Sequence, residues 1–545
     1  MSLALAKRCI RNHKEVSMES SLPIRQSLQH HSTQCAPFNR VRAVTLGLCL
    51  AALAVPTVGI SASTPSQPPL LIESAGDIPP AIAQAFPSPQ MAKRWVRRHR
   101  TMALNSAALE TMRQARKGEK AAVTLDLFEG GTRTLEIDEP QVHRNKTQVW
   151  RGRLQGDSES DVTLAVRGGK MVGTIISNQR LYKIEPTEDN RHRLVEIDED
   201  ALPLDHHPLV IPDDGTPADP PAQEPELQQP DTAASTATGT VTTAAATTTN
   251  TTVDLLVVYT ATARARQGGQ AAMNALIALG VDLANQAYSN SGIAMRLRLA
   301  RAAEVAYTET GNISTDLSRL QRTNDGFMDS VHQLRNQYKA DLVALIVDNG
   351  GSYCGIAYVM ANGPRASFAN YAFSVTDREC VANNTLTHEL GHNMGNAHDR
   401  ASGGTGVYPY SYGYRDTVGK FRTIMAYPCP TVSCPRVKFF SNPKIKINGR
   451  PAGIDHRITP SSSADNARSM NEVRNIIAAW RTGTTTSAAT SPNTIRNSRA
   501  NSQADAPDDV DELDDDIDDA NDEASDGSRT DSRGKSRGQL RAPFP

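Results

Sequence analysis

The pattern of apolar and polar positions separates segments that can form a core from segments that cannot. Val253 to Tyr259 and Asp341 to Asp348 are nearly unbroken apolar runs, which are typical of strands buried on both faces. Ala271 to Tyr288 and Ser463 to Arg481 instead show the apolar spacing of amphipathic helices. The pattern predicts a mixed α/β domain over residues 253–482, and about 230 residues suffice for a single core.

A second folded region is predicted upstream, over residues 64–210. Ala122 to Phe128, Asp161 to Val166 and Met171 to Ile176 combine β-branched residues with flanking turn signals. We predict a small β-rich domain here.

The start of the chain resembles a leader for export. Arg40 and Arg42 precede an apolar run from Val44 to about Ile60, and residues 61–63 are small enough for a cleavage site. Because this run is short and contains Pro56, we favour a signal peptide over residues 1–63 to an uncleaved membrane anchor. The predicted product is secreted, extracellular or periplasmic, with no stable membrane association after leader cleavage.

Two further segments lack the composition of a folded core. Residues 211–252 are rich in Pro, Gln, Thr and Ala and are predicted to be a disordered linker. Residues 483–545 form a predicted disordered, acidic, low-complexity tail. Its aspartates lack the regular glycine spacing of a calcium loop, so Ca²⁺ is compatible with the tail but is not indicated. The formal net charge of −1 argues against a nucleic-acid partner.

The strongest chemical signal is the sequence His388-Glu389-Leu390-Gly391-His392, followed by His398. Two histidines four positions apart on a helix lie on the same face, about 6 Å apart along the axis. The third histidine requires the chain to double back, which Gly395 permits because glycine reaches positive φ at little cost. His388, His392 and His398 would leave one position of a zinc ion open, as in catalytic zinc sites.

Glu389 follows the first histidine and is not required as a ligand. Its predicted role is general base, accepting a proton from a water whose pKa zinc lowers to about 7. Histidine is scarce, at 13 of 545 residues. The motif H-E-x-x-H-x-x-G-x-x-H has five fixed positions, and a chance match to all five is expected on the order of 10⁻⁵ to 10⁻⁴ times per chain.

This motif resembles the zinc helix of the metzincin metalloendopeptidases, and Thr423 to Tyr427 resembles the methionine turn of that family. The resemblance covers roughly residues 252–482 and implies a metzincin-like domain with a mixed twisted sheet. It also implies that Met425 forms an apolar floor below the zinc. Asp399, directly after His398, resembles the bacterial secreted reprolysin (adamalysin) branch, where this aspartate supports the turn leaving the helix. The upstream β-rich domain then corresponds to a prodomain.

Tyr427 departs from the reprolysin pattern and is more similar to the astacin and serralysin pattern. There a tyrosine at this place can ligate zinc. Here it is either a fifth ligand or transition-state donor, or part of the wall of the specificity pocket. We favour the wall, since a buried phenol is usually a packing residue with a polar tip.

The segment from Cys354 to Met360 resembles the edge strand that borders the metzincin cleft. An extended peptide could pair its backbone with such a strand, although a plain sheet strand has the same pattern. Cys354, Cys380, Cys429 and Cys434 allow three disulfide connectivities. We favour Cys354 with Cys380 and Cys429 with Cys434, because the second pair closes a tight loop just past the methionine turn.

Latency, if the enzyme is made as a zymogen, cannot use a prodomain thiolate, since residues 50–353 contain no cysteine. Asp157, His206 and His207 are candidates for a blocking ligand. Each also fits a solvent-facing turn or linker, which is the more frequent role of such residues.

The sequence thus predicts a secreted zinc endopeptidase that acts on proteins or peptides. Two alternatives of other classes remain open at this point. One is a catalytically inactive module of the same fold that binds extracellular protein, against which the intact Glu389 argues. The other is a surface adhesin that carries an accessory protease domain.

Overall fold

The computed structural model of the chain describes residues 68–74, 94–128, 131–187, 189, 191–211 and 250–481. The predicted leader, almost all of the predicted linker and the predicted acidic tail lie outside the described residues. Within the described part, none of the helices combines the length and the apolar character needed to span a membrane.

The described residues between 68 and 197 form an antiparallel sheet, and α1 (Ser106–Arg113) is the α-helix among them. Along the sheet the strand order is β1-β2-β10-β9-β8-β7-β6-β4-β3, with β5 paired to β6. The bounds are β1 Ile72–Ser74, β2 Val96–Leu104, β3 Ala121–Asp126, β4 Thr132–Ile137, β5 Gln141–Val142, β6 Gln148–Leu154, β7 Asp161–Arg167, β8 Lys170–Ser177, β9 Arg180–Pro186 and β10 His192–Ile197. One apolar cluster under this sheet includes Trp150, whose indole N–H donates to the Met112 carbonyl (3.0 Å). The burial of Trp150 explains why α1 packs on the sheet.

Residues 250–481, joined by one short strand from the amino-terminal region, form the mixed sheet that the apolar runs predict. Its order is β11-β15-β16-β14-β12-β13, and only the β15–β16 pairing is antiparallel. The bounds are β11 Leu209–Val210, β12 Thr251–Thr260, β13 Met295–Val305, β14 Leu342–Val347, β15 Gly355–Val359 and β16 Phe373–Asp377. β12 and β14 lie in the interior, which accounts for their continuous apolar sequences. β12 begins at Thr251, two residues inside the predicted linker.

Helices and pairs of short strands complete this domain. The helices are α2 Ala261–Gln267, α3 Gln270–Asn290, α4 Ile313–Gln321, α5 Asp329–Gln337, α6 Thr385–Asn393 and α7 Asn466–Ile477; the short strands are β17 Ala397–Asp399, β18 Tyr412–Gly413, β19 Arg415–Asp416, β20 Phe421–Arg422, β21 Asn442–Ile447 and β22 Arg450–Ala452. The predicted closing helix is shorter than expected at both ends. It begins at Asn466, because the Asp465 side chain caps it by accepting from the Arg468 amide (3.1 Å), and it ends at Ile477.

The two sheets share helix α3, against which β7 and β8 also pack. Ion pairs and hydrogen bonds cross the junction: Arg151 binds Asp282 (2.6 Å), Lys183 binds Glu379 (2.6 Å), and Gln286 donates to the Thr163 hydroxyl (2.9 Å). Asp282 and Lys183 are each about 2% exposed, and each is paired with an opposite charge across the junction, although Lys183 also pairs with Glu185 of its own strand (2.6 Å). These paired side chains hold the first sheet in one position against the second domain. They therefore also fix the point from which residues 199–211 leave the first sheet.

Candidate active site

Helix α6 carries the first two histidines of the motif, and the turn after it brings in the third. His388, His392 and His398 are at most 1% exposed. Their Nε2 atoms lie 3.0 Å (His388 to His392), 3.1 Å (His388 to His398) and 3.1 Å (His392 to His398) apart. Among the described residues these three form the cluster able to hold a metal ion.

The hydrogen bonds of the other ring nitrogens fix what the Nε2 atoms can do. His388 Nδ1 lies 2.8 Å from the Ile424 carbonyl and His392 Nδ1 lies 2.7 Å from the Asn396 carbonyl. A carbonyl only accepts, so each Nδ1 must carry the proton and each facing Nε2 presents a lone pair. Burial lowers the pKa of His388 to about 4, which keeps this ring neutral near pH 7.

Converging lone pairs repel unless a cation lies between them. Three nitrogens on a tetrahedral zinc, each bonded at about 2.0–2.1 Å, would stand about 3.3 Å apart. The observed separations of 3.0–3.1 Å are close to this value. The donor set and its geometry therefore fit zinc.

Gly395 and Asp399 shape the turn that delivers His398. Gly395 has φ +91°, a conformation that disfavours residues with a Cβ atom, and Val407 lies within 2.6 Å of where that Cβ would stand. The Asp399 carboxylate pairs with Arg415 (2.5 Å) and accepts from the backbone amide of Tyr427 (3.1 Å). Asp399 thus ties the turn after α6 to the segment that follows Met425.

Met425 is fully buried and packs directly under α6. A Cβ on Gly391 would stand 2.5 Å from the Met425 sulfur, so a larger residue at 391 would displace either the helix or this methionine. The sequence did not reveal this role for Gly391. The glycine can be understood only once the methionine lies against it.

Glu389 is buried, and neither carboxylate oxygen has a hydrogen-bond partner among the described residues. Burial first, and then the nearby Asp205, raise the pKa of Glu389 well above its ordinary value. A Cβ on Gly355 would stand 2.5 Å from the Glu389 Oε1, so β15 approaches this carboxylate through a glycine. An unsatisfied buried carboxylate beside three imidazoles can accept a proton from water.

The structure joins the four cysteines of this domain in two disulfides. Cys354 bonds Cys380 and Cys429 bonds Cys434, with Cα atoms 5.6 Å apart in each pair. The first disulfide lies at the start of β15, and the second closes the loop after Met425. Such bonds are typical of oxidising compartments.

A segment of the amino-terminal region occupies the cleft beside β15. The Cys354 amide donates to the Leu204 carbonyl (2.9 Å), the His206 amide donates to the Gly355 carbonyl (2.8 Å), and β11 continues the pairing in parallel to β15. We call residues 202–211 the cleft segment. The His207 ring lies 5.4 Å from the His398 ring and 5.5 Å from the Tyr427 ring, measured between centroids.

His207 is solvent-exposed, as predicted for a linker residue, but it also lies beside the histidine cluster. The His206 ring packs against Tyr353, 4.5 Å away between centroids, and does not face the cluster. Asp157 lies in a turn of the first sheet, which is the second of the two roles considered for it, and not near the histidine cluster. Its carboxylate accepts from the Ser160 amide (3.0 Å) and the Ser177 hydroxyl (2.8 Å), both within the first sheet.

Sequence reasoning missed the residue of the cleft segment that is most deeply bound. The Asp205 side chain is 3% exposed, pairs with the Arg436 guanidinium and accepts from the Thr385 hydroxyl (3.1 Å). Burial alone would raise the pKa of Asp205, but Arg436 and the other neighbouring cations hold it well below its usual range. The Tyr427 hydroxyl donates a hydrogen bond to the Asp205 carbonyl (2.8 Å), while its ring lies tilted against the His398 ring, 4.0 Å away between centroids.

Comparison with known proteins shows the family to which the chain belongs. A reprolysin-type model of Metallo-peptidase family M12 matches residues 249–441. A peptidyl-Asp metalloendopeptidase of Xanthomonas campestris is 37% identical over 338 residues, which is 60% of this chain and 72% of the relative. The protein of the same name in Stenotrophomonas maltophilia is 37% identical over 336 residues, with the same coverage. That of Pseudomonas fragi is 33% identical over 199 residues, which is 36% of this chain and 99% of the relative.

Metallopeptidases of family M12 act on proteins or peptides with a catalytic zinc, in agreement with the converging histidines described above. The chain belongs to metallopeptidase family M12 and is a zinc-dependent metalloendopeptidase.

Proposed function

We propose that the catalytic zinc is held by the Nε2 atoms of His388, His392 and His398. The observation that carries this proposal is the convergence of three buried imidazole nitrogens at 3.0–3.1 Å. Met425 closes the site from below α6, in the manner of a methionine turn. Gly395 and Asp399 hold the turn that presents His398.

Zinc bound there supplies a Lewis acid that polarises a carbonyl group and lowers the pKa of water. Glu389 then accepts the proton of the attacking water and passes it to the leaving amine. Burial favours this proton shuttle, because a carboxylate without hydrogen-bond partners is a stronger base than a solvated one. Tyr427 serves as a wall residue, a role supported by the bond from its hydroxyl to the backbone of the cleft segment (2.8 Å).

Residues 64–210 act in this proposal as a prodomain, with the cleft segment as its covering element. The segment pairs with β15, where the backbone of a substrate would lie, and its removal requires a cut in the linker. The leader directs export of the enzyme, and the two disulfides agree with an oxidising compartment. After leader cleavage the enzyme has neither a membrane nor a nucleic acid as a partner.

The substrate class is suggested by the relatives, which are named peptidyl-Asp metalloendopeptidases. We propose that this enzyme also cleaves peptide bonds at aspartyl residues. Such a preference requires a cationic group beside the zinc, since a buried carboxylate needs a partner of opposite charge.

The test is digestion of a proteome-derived peptide library by the processed enzyme, with and without a zinc chelator. We expect cleavage sites strongly enriched in aspartate, and loss of all cleavage with chelator followed by recovery with added zinc. Glu389→Gln protein purified in parallel controls for contaminating proteases. Cleavage sites without aspartate enrichment would contradict the substrate class, and chelator-resistant cleavage would contradict the role of the metal.

A further inference from the structure

The Asp205 side chain lies in a small pocket that belongs to the catalytic domain. Arg436 donates to one carboxylate oxygen and Thr385 to the other (3.1 Å). A cavity of about 10 Å³ remains between the cleft segment and Arg436, lined in part by Asp205 and Tyr427. That is about the space of one water molecule, so the cleft segment and the catalytic domain are closely packed beside Asp205 and Arg436.

The pocket adjoins the reacting centre. Asp205 Oδ2 lies 3.7 Å from His388 Nδ1, and the Asp205 carbonyl accepts from the Tyr427 hydroxyl (2.8 Å). The backbone on both sides of Asp205 pairs with the start of β15. Asp205 therefore stands where a residue of a bound peptide, extended along β15, would place its side chain.

The catalytic domain holds Arg436 in place without help from Asp205. Its Nη1 donates to the Asn383 carbonyl (3.0 Å), just before α6. Its backbone follows the loop closed by Cys429 and Cys434 and pairs beside Arg422. Arg436 is 5% exposed, and its Nε has no hydrogen-bond partner among the described residues.

The acidic groups bonded to Arg436 both come from the amino-terminal region. Asp205 binds its guanidinium, and Glu199 accepts from its backbone amide (3.0 Å). Once this region is removed, the pocket keeps two neighbouring buried guanidiniums, those of Arg436 and Arg422. A buried cation that has lost its counter-ion favours a carboxylate ligand over a neutral one.

We propose that this pocket receives the aspartyl side chain of the substrate and that Arg436 is the specificity-determining residue. This inference rests on the proposed function. Before processing, the Asp205 side chain occupies this pocket. After processing, the aspartyl side chain of a substrate binds there with the same contacts. The short reach between Arg436 and Thr385 selects aspartate over glutamate.

A different role for the same ion pair gives different results. If Asp205 and Arg436 only anchor the cleft segment, Arg436 has no function after processing. Substitution of Arg436 would then change the latency of the full chain but not the sequence preference of the processed enzyme.

The experiment compares processed wild-type enzyme with Arg436→Gln on three peptides that carry Asp, Asn or Glu at the selected position. For the wild type, kcat/KM should favour Asp over Asn by about 100-fold or more. In Arg436→Gln this ratio should fall below about fivefold, mostly because kcat/KM for the Asp peptide decreases. Arg436→Lys keeps the charge without the paired donors and should give an intermediate ratio.

Arg335→Gln is the matched control, since Arg335 is also buried and donates to the carbonyls of Ala340 and Asp341 rather than into the cleft. It should keep the wild-type Asp preference. Retention of that preference by Arg436→Gln would overturn the pocket assignment and leave the proposed function intact. Absence of any Asp preference in the wild type would instead contradict the proposed substrate class.

A second measurement avoids substitution of a buried arginine, should Arg436→Gln fail to fold. A synthetic peptide with the sequence of residues 202–211 is tested as an inhibitor of the processed wild type, beside the same peptide with Asn in place of Asp205. The Asp peptide should inhibit at least about tenfold more strongly. Equal inhibition by the two peptides would refute the pocket.

Discussion

Replacement of Glu389 by glutamine should abolish peptidase activity while leaving the zinc in place. Glutamine has nearly the same volume but cannot accept the proton of the attacking water, so kcat should fall by about 10³- to 10⁴-fold. The measurement is the hydrolysis rate of a peptide substrate by processed enzyme, together with zinc content per chain. Zinc content should be unchanged, because Glu389 contributes no atom to the histidine cluster.

This combination separates a chemical role from a structural one. A variant that loses both zinc and activity would indicate that Glu389 supports the fold of α6. A variant with near-normal cleavage would remove Glu389 from the mechanism.

The uncleaved chain should be nearly inactive, and substitution of Asp205 should release part of its activity. In the proposed function the cleft segment covers the site, and it is held there by backbone pairing with β15 and by the buried Asp205–Arg436 ion pair. Removing one partner of a buried ion pair weakens the contact by about 2–5 kcal/mol. Asp205→Ala should therefore raise the initial rate of the uncleaved chain on the order of 30-fold or more.

The matched control is Asp157→Ala, because the contacts of the Asp157 side chain lie within the first sheet. Initial rates on a short fluorogenic peptide are taken before processing, with the intact chain verified on a gel. Asp157→Ala should leave the uncleaved chain as inactive as the wild type. Full activity of the uncleaved wild type, or equal rates for the two variants, would contradict the covering role of the cleft segment.

The features that the sequence could predict are those whose parts are close together along the chain. Helical repeat alone puts His388 and His392 on one face, and a glycine two residues after the helix allows the reversal to His398. The buried strands β12 and β14 were also predictable, since burial on both faces leaves a continuous apolar sequence. In each case a local rule of geometry suffices.

The features that it could not predict depend on contacts between distant segments. Asp205 and Arg436 are 231 residues apart, and Asp205 lies in a short polar stretch that resembles any turn. Neither residue shows a local pattern, because the pocket exists only when the cleft segment pairs with β15. Gly355 and Gly391 could not be predicted for the same reason. Gly355 leaves space for the Glu389 side chain, and Gly391 leaves space for the Met425 side chain.

The central claim is that three imidazoles hold one zinc ion, and X-ray absorption spectroscopy of the purified protein with parallel metal analysis tests it most directly. The account predicts one zinc per chain, with three histidine nitrogens at about 2.0–2.1 Å, and loss of the metal in His398→Ala. A protein without stoichiometric zinc, or a His398→Ala variant that keeps both its zinc and its turnover, would contradict the account.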